Sequence, residues 1–303
     1  MKAKGYAAAA IAAIFYGTNP LGTLYLYQGG INPASVLIYR YTFATLMFLL
    51  CMAVKRESLS IKWGTGIRLA ILGTLMSMSS ATLYISFQYM DAGVASTILF
   101  SYPIMVAVLM VIFYHEKVTW TTTISIAMAV TGISLLYRGG HGATLSTIGV
   151  SLVILSSLLY AFYIIGVNQT HTKMPATKFT FWIVLFGLIA LLIFTAFTGE
   201  HIQPLHGIRE YASALQLALL PTVLSLFFIN IAIDHIGSTP TAIMGALEPV
   251  TAVCIGVCVF GEHFTLRLGI GIVLILSAVI ILMSAKGKAQ ENHSNNMPSS
   301  SQA

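Results

Sequence analysis

Ten apolar stretches, each close to the length that crosses a bilayer, follow one another along this chain. They run 5–27, 34–54, 67–89, 93–114, 119–137, 147–168, 178–198, 211–233, 240–260 and 265–284. A hydrocarbon core of about 30 Å takes roughly 20 apolar residues as helix. Lipid offers no hydrogen bonds to an open backbone, so segments of this kind cross as helices. The connections are short, the longest being about 55–66 and 199–210, so neighbouring helices form antiparallel hairpins. The expected fold class is an all-α membrane protein with ten transmembrane helices. Charge agrees: only 8% of residues are charged, against about one quarter in a soluble domain.

The net charge of +6 is spread between the apolar runs. No basic helix or aromatic-interleaved patch forms, which argues against nucleic acid as a partner. Lys2 and Lys4 ahead of an Ala-rich run resemble the opening of a signal peptide. The run is too long for one, contains Asn19 and Pro20, and lacks a small-residue cleavage site, so it reads as a retained first helix. Residues 286–303 are polar and aperiodic and read as a disordered cytoplasmic tail.

The chain uses one stretch twice. Adding 146 to a position between Gln88 and Thr119 gives its counterpart between Asp234 and Thr265. Pro103 maps to Pro249, Glu116 to Glu262 and Thr119 to Thr265. Phe15-Tyr16-Gly17 likewise matches Leu159-Tyr160-Ala161. Two repeats are expected, 1–137 and 147–285, with five helices each. An odd number of crossings makes the second repeat enter from the opposite face. Inverted repeats of this kind are common in secondary transporters, with a site between the halves near mid-membrane. With the N-terminus in the cytoplasm, inside segments hold Lys2, Lys4, Lys55, Arg56, Lys62, Arg68, Lys117, Lys173, Lys178, Lys286 and Lys288. Outside segments hold Arg40, Arg138, Arg209 and Arg267. This bias places both termini in the cytoplasm and the chain in the cytoplasmic (inner) membrane.

Two charges fall well inside the predicted spans, Arg40 and Glu248. A central charge costs about 2.5–3.5 kcal/mol on an insertion scale, so each needs a reason. Glu248 shares a helical face with Met244 and Thr251, and Pro249 frees the carbonyl of Gly245. It reads as a pathway residue and candidate proton carrier; the alternative is a structural carboxyl bonded to a neighbouring helix. Arg40 sits in Tyr39-Arg40-Tyr41 and reads as reaching the outer interface among aromatic residues, rather than as clamping a substrate carboxylate. Polar stripes complete the candidate pocket: Tyr16, Asn19 and Thr23 on helix 1, Ser77, Ser80, Tyr84 and Gln88 on helix 3, Ser156, Tyr160 and Tyr163 on helix 6, and Thr222 with Asn230 on helix 8. Tyr102, the counterpart of Glu248, joins them. The substrate-binding candidates are thus Tyr16, Asn19, Tyr84, Gln88, Tyr102, Tyr160, Tyr163, Asn230 and Glu248. A pocket rich in rings and hydroxyls with few charges suits neutral, zwitterionic or delocalised-cation molecules.

Catalytic patterns fail. His115-Glu116 opens a zinc-protease motif, but position 119 is Thr119. No phosphate-binding Gly loop and no G-x-S-x-G is present. Cys254 and Cys258 lie one turn apart without a third or fourth ligand, so no metal and no cofactor is expected. A membrane-embedded enzyme is the rival from another class, and no convergent catalytic set supports it.

Leu247-Glu248-Pro249-Val250 through Phe260-Gly261-Glu262, together with Tyr102-Pro103 through Tyr114-His115-Glu116-Lys117, resemble the drug/metabolite transporter superfamily in its ten-helix EamA-type branch. The resemblance covers about 1–285. It implies a central cavity lined by both halves and transport of a small molecule, such as export of an amino acid; some related members accept drugs, so export of hydrophobic or aromatic cations is the alternative. His115 in place of Gly261 and Tyr102 in place of Glu248 depart from a symmetric pattern. Glu116 and Glu262 read as structural marks at helix ends.

Overall fold

A computed structural model describes residues 2–115, 119–137, 146–170 and 174–295. Its helices are α1 (Lys2–Gly17), α2 (Asn19–Gln28), α3 (Pro33–Val54), α4 (Trp63–Ser86), α5 (Ala92–Leu99), α6 (Tyr102–Tyr114) and α7 (Trp120–Tyr137). Then come α8 (Thr147–Gln169), α9 (Ala176–Thr198), α10 (Ile208–Ala218), a π-helical turn (Leu219–Leu224), α11 (Ser225–Ile236), α12 (Ser238–Met244), α13 (Leu247–Phe260) and α14 (Leu266–Asn295). Among the described residues, counting each broken helix as one, nine are long and apolar enough to cross a membrane, and Trp120–Leu136 is a shorter apolar helix. Together they make ten spans, five before and five after the connection at 138–146.

Four of the ten expected helices are broken, and each break has a local cause. The first span divides at Thr18, where Pro20 follows and Asn19 Nδ2 bonds back to the Tyr16 carbonyl at 2.9 Å. The fourth and ninth divide just before Pro103 and Pro249. The eighth passes through the π turn that contains Pro221. Proline has no N–H to give and crowds the preceding turn. Elsewhere the ends follow familiar chemistry: Asn32 caps α3 by accepting from Ser35 N at 2.8 Å, with Pro33 at the first position.

The breaks repeat. Helix α5 starts at Ala92 and α12 at Ser238; α6 ends at Tyr114 and α13 at Phe260. Each pair differs by the same 146 residues as the sequence landmarks. Even the C-caps agree: His115 (φ 53°) and Gly261 (φ 69°) are both left-handed. The duplication is therefore legible in backbone conformation where side chains diverge. Glu116 lies outside the described residues.

Two expectations on extent and place change. The last helix runs on to Asn295, into the segment read as disordered. Lys286, Lys288, Ala289, Gln290 and Glu291 are good helix formers, and nothing before Asn295 stops the helix. Residues 296–303 lie outside the described residues. Arg40 does not reach an interface: it is only 4% exposed and sits among helices.

Small residues set the closest approaches. A Cβ on Gly73 of α4 would come within 2.6 Å of the Ile183 carbonyl on α9. One on Gly17, at the break of the first span, would lie 2.6 Å from the Glu248 carbonyl. The breaks of spans one and nine thus touch, and a cavity opens beside them.

Candidate functional site

The cavity has a volume of about 140 Å³. Its walls come from both halves: Ala9, Ala12, Ala13 and Tyr16 of α1; Met76, Ser79, Ser80 and Leu83 of α4; Leu99, Phe100 and Tyr102 at the fourth-span break; Tyr160 of α8; Ser225, Leu226 and Ile229 of α11; and Thr241, Ala242, Gly245 and Glu248 at the ninth-span break. A larger hollow of about 400 Å³ lies between α4 and α9, lined by Ala70, Thr74, Met78, Phe186, Ile189, Ala190, Ile193, Phe194 and Phe197. It is open, apolar and uncharged, as expected of a lipid-facing groove, whereas the smaller cavity gathers polar groups from both halves.

The cavity's polar groups divide into spent and unspent. Ser225 Oγ donates to the Ala12 carbonyl at 2.9 Å, and Thr241 Oγ1 to Gly237 at 2.7 Å. Ser79 and Ser156 exchange hydroxyl-to-carbonyl bonds of 2.8 and 2.6 Å, tying α4 to α8. Ser80 Oγ lies 3.1 Å from the Met76 carbonyl and 3.2 Å from the Tyr41 hydroxyl. By contrast, the Glu248 carboxyl and the hydroxyls of Tyr16, Tyr102 and Tyr160 make no hydrogen bond among the described residues, and all four residues line the cavity. Buried polar groups in a folded chain are normally paired. One carboxyl and three tyrosines without a hydrogen bond among the described residues thus line the same cavity.

These four occupy related positions, Tyr102 opposite Glu248 and Tyr16 opposite Tyr160. The Tyr102 and Tyr160 rings meet edge to face at 4.7 Å, and Phe100 meets Tyr102 at 6.0 Å. Glu248 is the sole charged residue of the described wall and stands in the first turn of α13, where a helix N-terminus favours an anion. The Gly245 carbonyl that Pro249 releases is used locally, accepting from Glu248 N at 2.9 Å. The Glu248 carboxyl makes no hydrogen bond to a neighbouring helix among the described residues.

The other expected site residues fall elsewhere. Tyr84 is fully buried; its hydroxyl accepts from Arg40 Nη1 at 2.7 Å and donates to Asn19 Oδ1 at 3.1 Å. Arg40 Nε donates to Thr222 Oγ1 at 3.1 Å, and Thr222 donates to the Leu217 carbonyl across the π turn. Arg40, Tyr84, Asn19 and Thr222 therefore form a network that joins spans one, two, three and eight behind the cavity, at two of the helix breaks. Tyr163 stacks on Tyr160 at 5.5 Å and packs against Leu69, Leu72 and Ile183, one layer back.

Two expected positions lie off the cavity wall. Gln88 is exposed, because α4 stops at Ser86 and the chain leaves through tight turns, with Gln88 N bonded to the Ile85 carbonyl. Asn230 is also exposed. It follows Ile229, which lines the cavity, and so lies about 100° round the helix from it. Eight residues from Thr222 do not close two turns. Phe100, Ser225 and Thr241 line the wall without having been expected. Their only signal was proximity to Pro103, Pro221 and Pro249, since helix breaks turn neighbouring side chains into the interior.

The EamA-like transporter family profile matches residues 3–138 and again 147–284. The chain belongs to the EamA-like transporter family. Relatives run nearly its full length. One from Clostridium kluyveri, named an uncharacterized transporter, is 23% identical over 298 residues, covering 95% of this chain and 96% of the relative. One from Archaeoglobus fulgidus, also named an uncharacterized transporter, is 25% identical and covers 91% and 95%. YdfC of Bacillus subtilis, likewise an uncharacterized transporter, is 27% identical over 62% of this chain and 61% of its own. A solved crystal structure shares the fold with a TM-score of 0.65 at 14% identity, covering 96% of this chain and all of the other. The two matches to the EamA-like profile fall on the two five-span groups. This EamA-like chain is thus a multi-pass membrane protein of a transporter family, with its candidate site between the groups.

Proposed function

We propose that the chain is a secondary active carrier of the cytoplasmic membrane, with both termini cytoplasmic, that exports a small amino-bearing metabolite such as an amino acid by alternating access. One observation carries the reading: the unspent Glu248 carboxyl faces a cavity lined by both halves, with three unspent tyrosine hydroxyls. A carboxylate there binds an ammonium group through charge and hydrogen bonds, and the hydroxyls bond the rest of a polar solute. Family membership supports transport and is silent on the solute. The test is counterflow in proteoliposomes with a panel of labelled amino acids. Accumulation of at least one, inhibited by excess unlabelled solute, supports the reading; a flat response across the panel removes the amino-acid class.

The ring cluster favours a second reading. Phe100, Tyr102 and Tyr160 lie beside Glu248, and aromatic faces attract cations within about 6 Å of their centroids. Export of hydrophobic or aromatic cations fits those walls. Uptake of a fluorescent aromatic cation into inside-out vesicles, in competition with amino acids, separates the two.

A further inference from the structure

On spans one and nine the cavity wall gives way to a contact that the sequence does not announce. Spans one and nine begin on the same face, and their lining residues, Ala9–Tyr16 and Thr241–Glu248, stop near mid-span. Beyond them, toward the far face, α5 and α13 pack directly. A Cβ on Gly93 would lie 2.8 Å from Val253 Cα. Glu262, just past the end of α13, folds back over Gly256. Its Oε1 accepts from Ala92 N at 2.8 Å and its Oε2 from Gly93 N at 3.3 Å.

Those two amides open α5. A helix start preceded by an aspartate is normally capped by it. Asp91 holds the N-cap position here, yet its side chain makes no capping bond. The cap comes instead from Glu262, 170 residues away, in the other half of the chain. Gly256 makes room for it: a Cβ there would overlap the Glu262 carboxyl. A local cap would stabilise α5 whatever span nine does. A cap borrowed from span nine holds only while the two spans stay together.

We propose that Glu262 is the positioning residue that latches the far end of the cavity, pinning the start of span four to the end of span nine in the state seen here. When the halves rock and the far face opens, the carboxyl leaves the Ala92 and Gly93 amides. The inference is framed by the alternating-access reading, but its test measures access rather than flux, so each can fail alone.

The reporter is Ser80→Cys on the cavity wall, in a chain whose Cys51, Cys254 and Cys258 are replaced by serine. A charged, impermeant thiosulfonate is applied from the far face in sealed vesicles of each orientation, and the rate is normalised to labelling from the near face. Glu262→Ala raises the far-face rate by about fivefold, the shift expected for loss of a typical cap. Gly256→Ala raises it as well, although the carboxyl is intact, because the added methyl takes its place. Glu262→Gln has the shape and neutral charge of the protonated carboxyl, so it folds and keeps the latch, with a far-face rate at or below the parent's at neutral pH. A far-face rate unchanged within the assay error in whichever alanine variant folds, or raised by Glu262→Gln as much as by Glu262→Ala, overturns the latch. A counterflow signal that persists in that case leaves the carrier reading standing.

Discussion

At the residue scale, the charged positions decide most. Glu248 was legible in the sequence because a carboxylate inside an apolar run has few explanations. Its surroundings were only half legible: Tyr16, Tyr102 and Tyr160 line the cavity, whereas Tyr84 spends its hydroxyl on Arg40 and Asn19. Distances between residues on different spans are not written in sequence spacing, so the network around Arg40 could not be read there. If Glu248 binds the ammonium group or carries the coupled proton, Glu248→Gln inserts and folds normally but loses counterflow or its dependence on pH. Flux equal to that of the parent from pH 5 to 8 would make it a packing residue. Tyr84→Phe tests the network instead. It leaves the buried Arg40 with the Thr222 hydroxyl alone, and losing a hydrogen bond to a charged group costs about 1.5–3 kcal/mol. The variant therefore melts at lower temperature in detergent, while Tyr163→Phe, whose hydroxyl makes no bond among the described residues, melts with the parent.

At the scale of elements, helices were easy to place and their interruptions were not. Apolar length marks a span, but a proline inside one signals a kink, a break or a π turn without choosing among them. The two matched breaks at spans four and nine follow from the same Pro in register, so the duplication was the better guide to local form than either copy alone. The start of α5 shows the reverse case, where Asp91 resembles a cap and Glu262 supplies it. That start also has a pH signature. Burial pushes the Glu262 carboxyl above the ordinary glutamate range, against the pull of the Ala92 and Gly93 amides and with Asp91 adding to the rise. Asp91 is itself raised by burial and drawn back by the charge of His263, so these three groups face one another. A carboxyl released to water returns to its usual value, so the latched state holds the proton more tightly. Acid therefore favours the latch, and that contribution fades as pH rises through the elevated value. Far-face labelling of Ser80→Cys, normalised to the near face, should increase with pH across the mildly acidic range above the usual glutamate value, and Glu262→Gln should flatten that increase.

At the scale of the molecule, the ten crossings and their division into five and five were readable from apolar length and the 146-residue register. What sequence could not give is how the halves are held against each other, and the loops supply that. Lys178 Nζ donates to the Ser60 carbonyl at 2.6 Å and Lys55 Nζ to Thr177 Oγ1 at 2.9 Å. These bonds join the loop after span two to the start of span seven. At the other end, Gln203 N donates to Ser35 Oγ at 2.8 Å, and the Tyr39 hydroxyl donates to the Gln203 carbonyl at 3.0 Å. They join the loop after span seven to the start of span two. Spans two and seven thus run antiparallel and are stapled at both ends, one in each half. Two spans related by the repeat would run parallel if the second half entered from the same face as the first. The stapling therefore has a direct consequence for topology: residue 58 and residue 201 lie on opposite faces of the membrane. On the proposed orientation, with the Lys- and Arg-rich face cytoplasmic, Ser58 lies in the cytoplasm. In the serine-replaced background, Ser58→Cys should be protected from an impermeant maleimide in intact cells and labelled in inside-out vesicles, and His201→Cys should show the opposite pattern. His201 suits this better than Gln203, whose side chain accepts from Asn32 N. Labelling of both cysteines from one side would require an even number of crossings between them. It would contradict the five-span halves and, with them, the site between two oppositely oriented repeats.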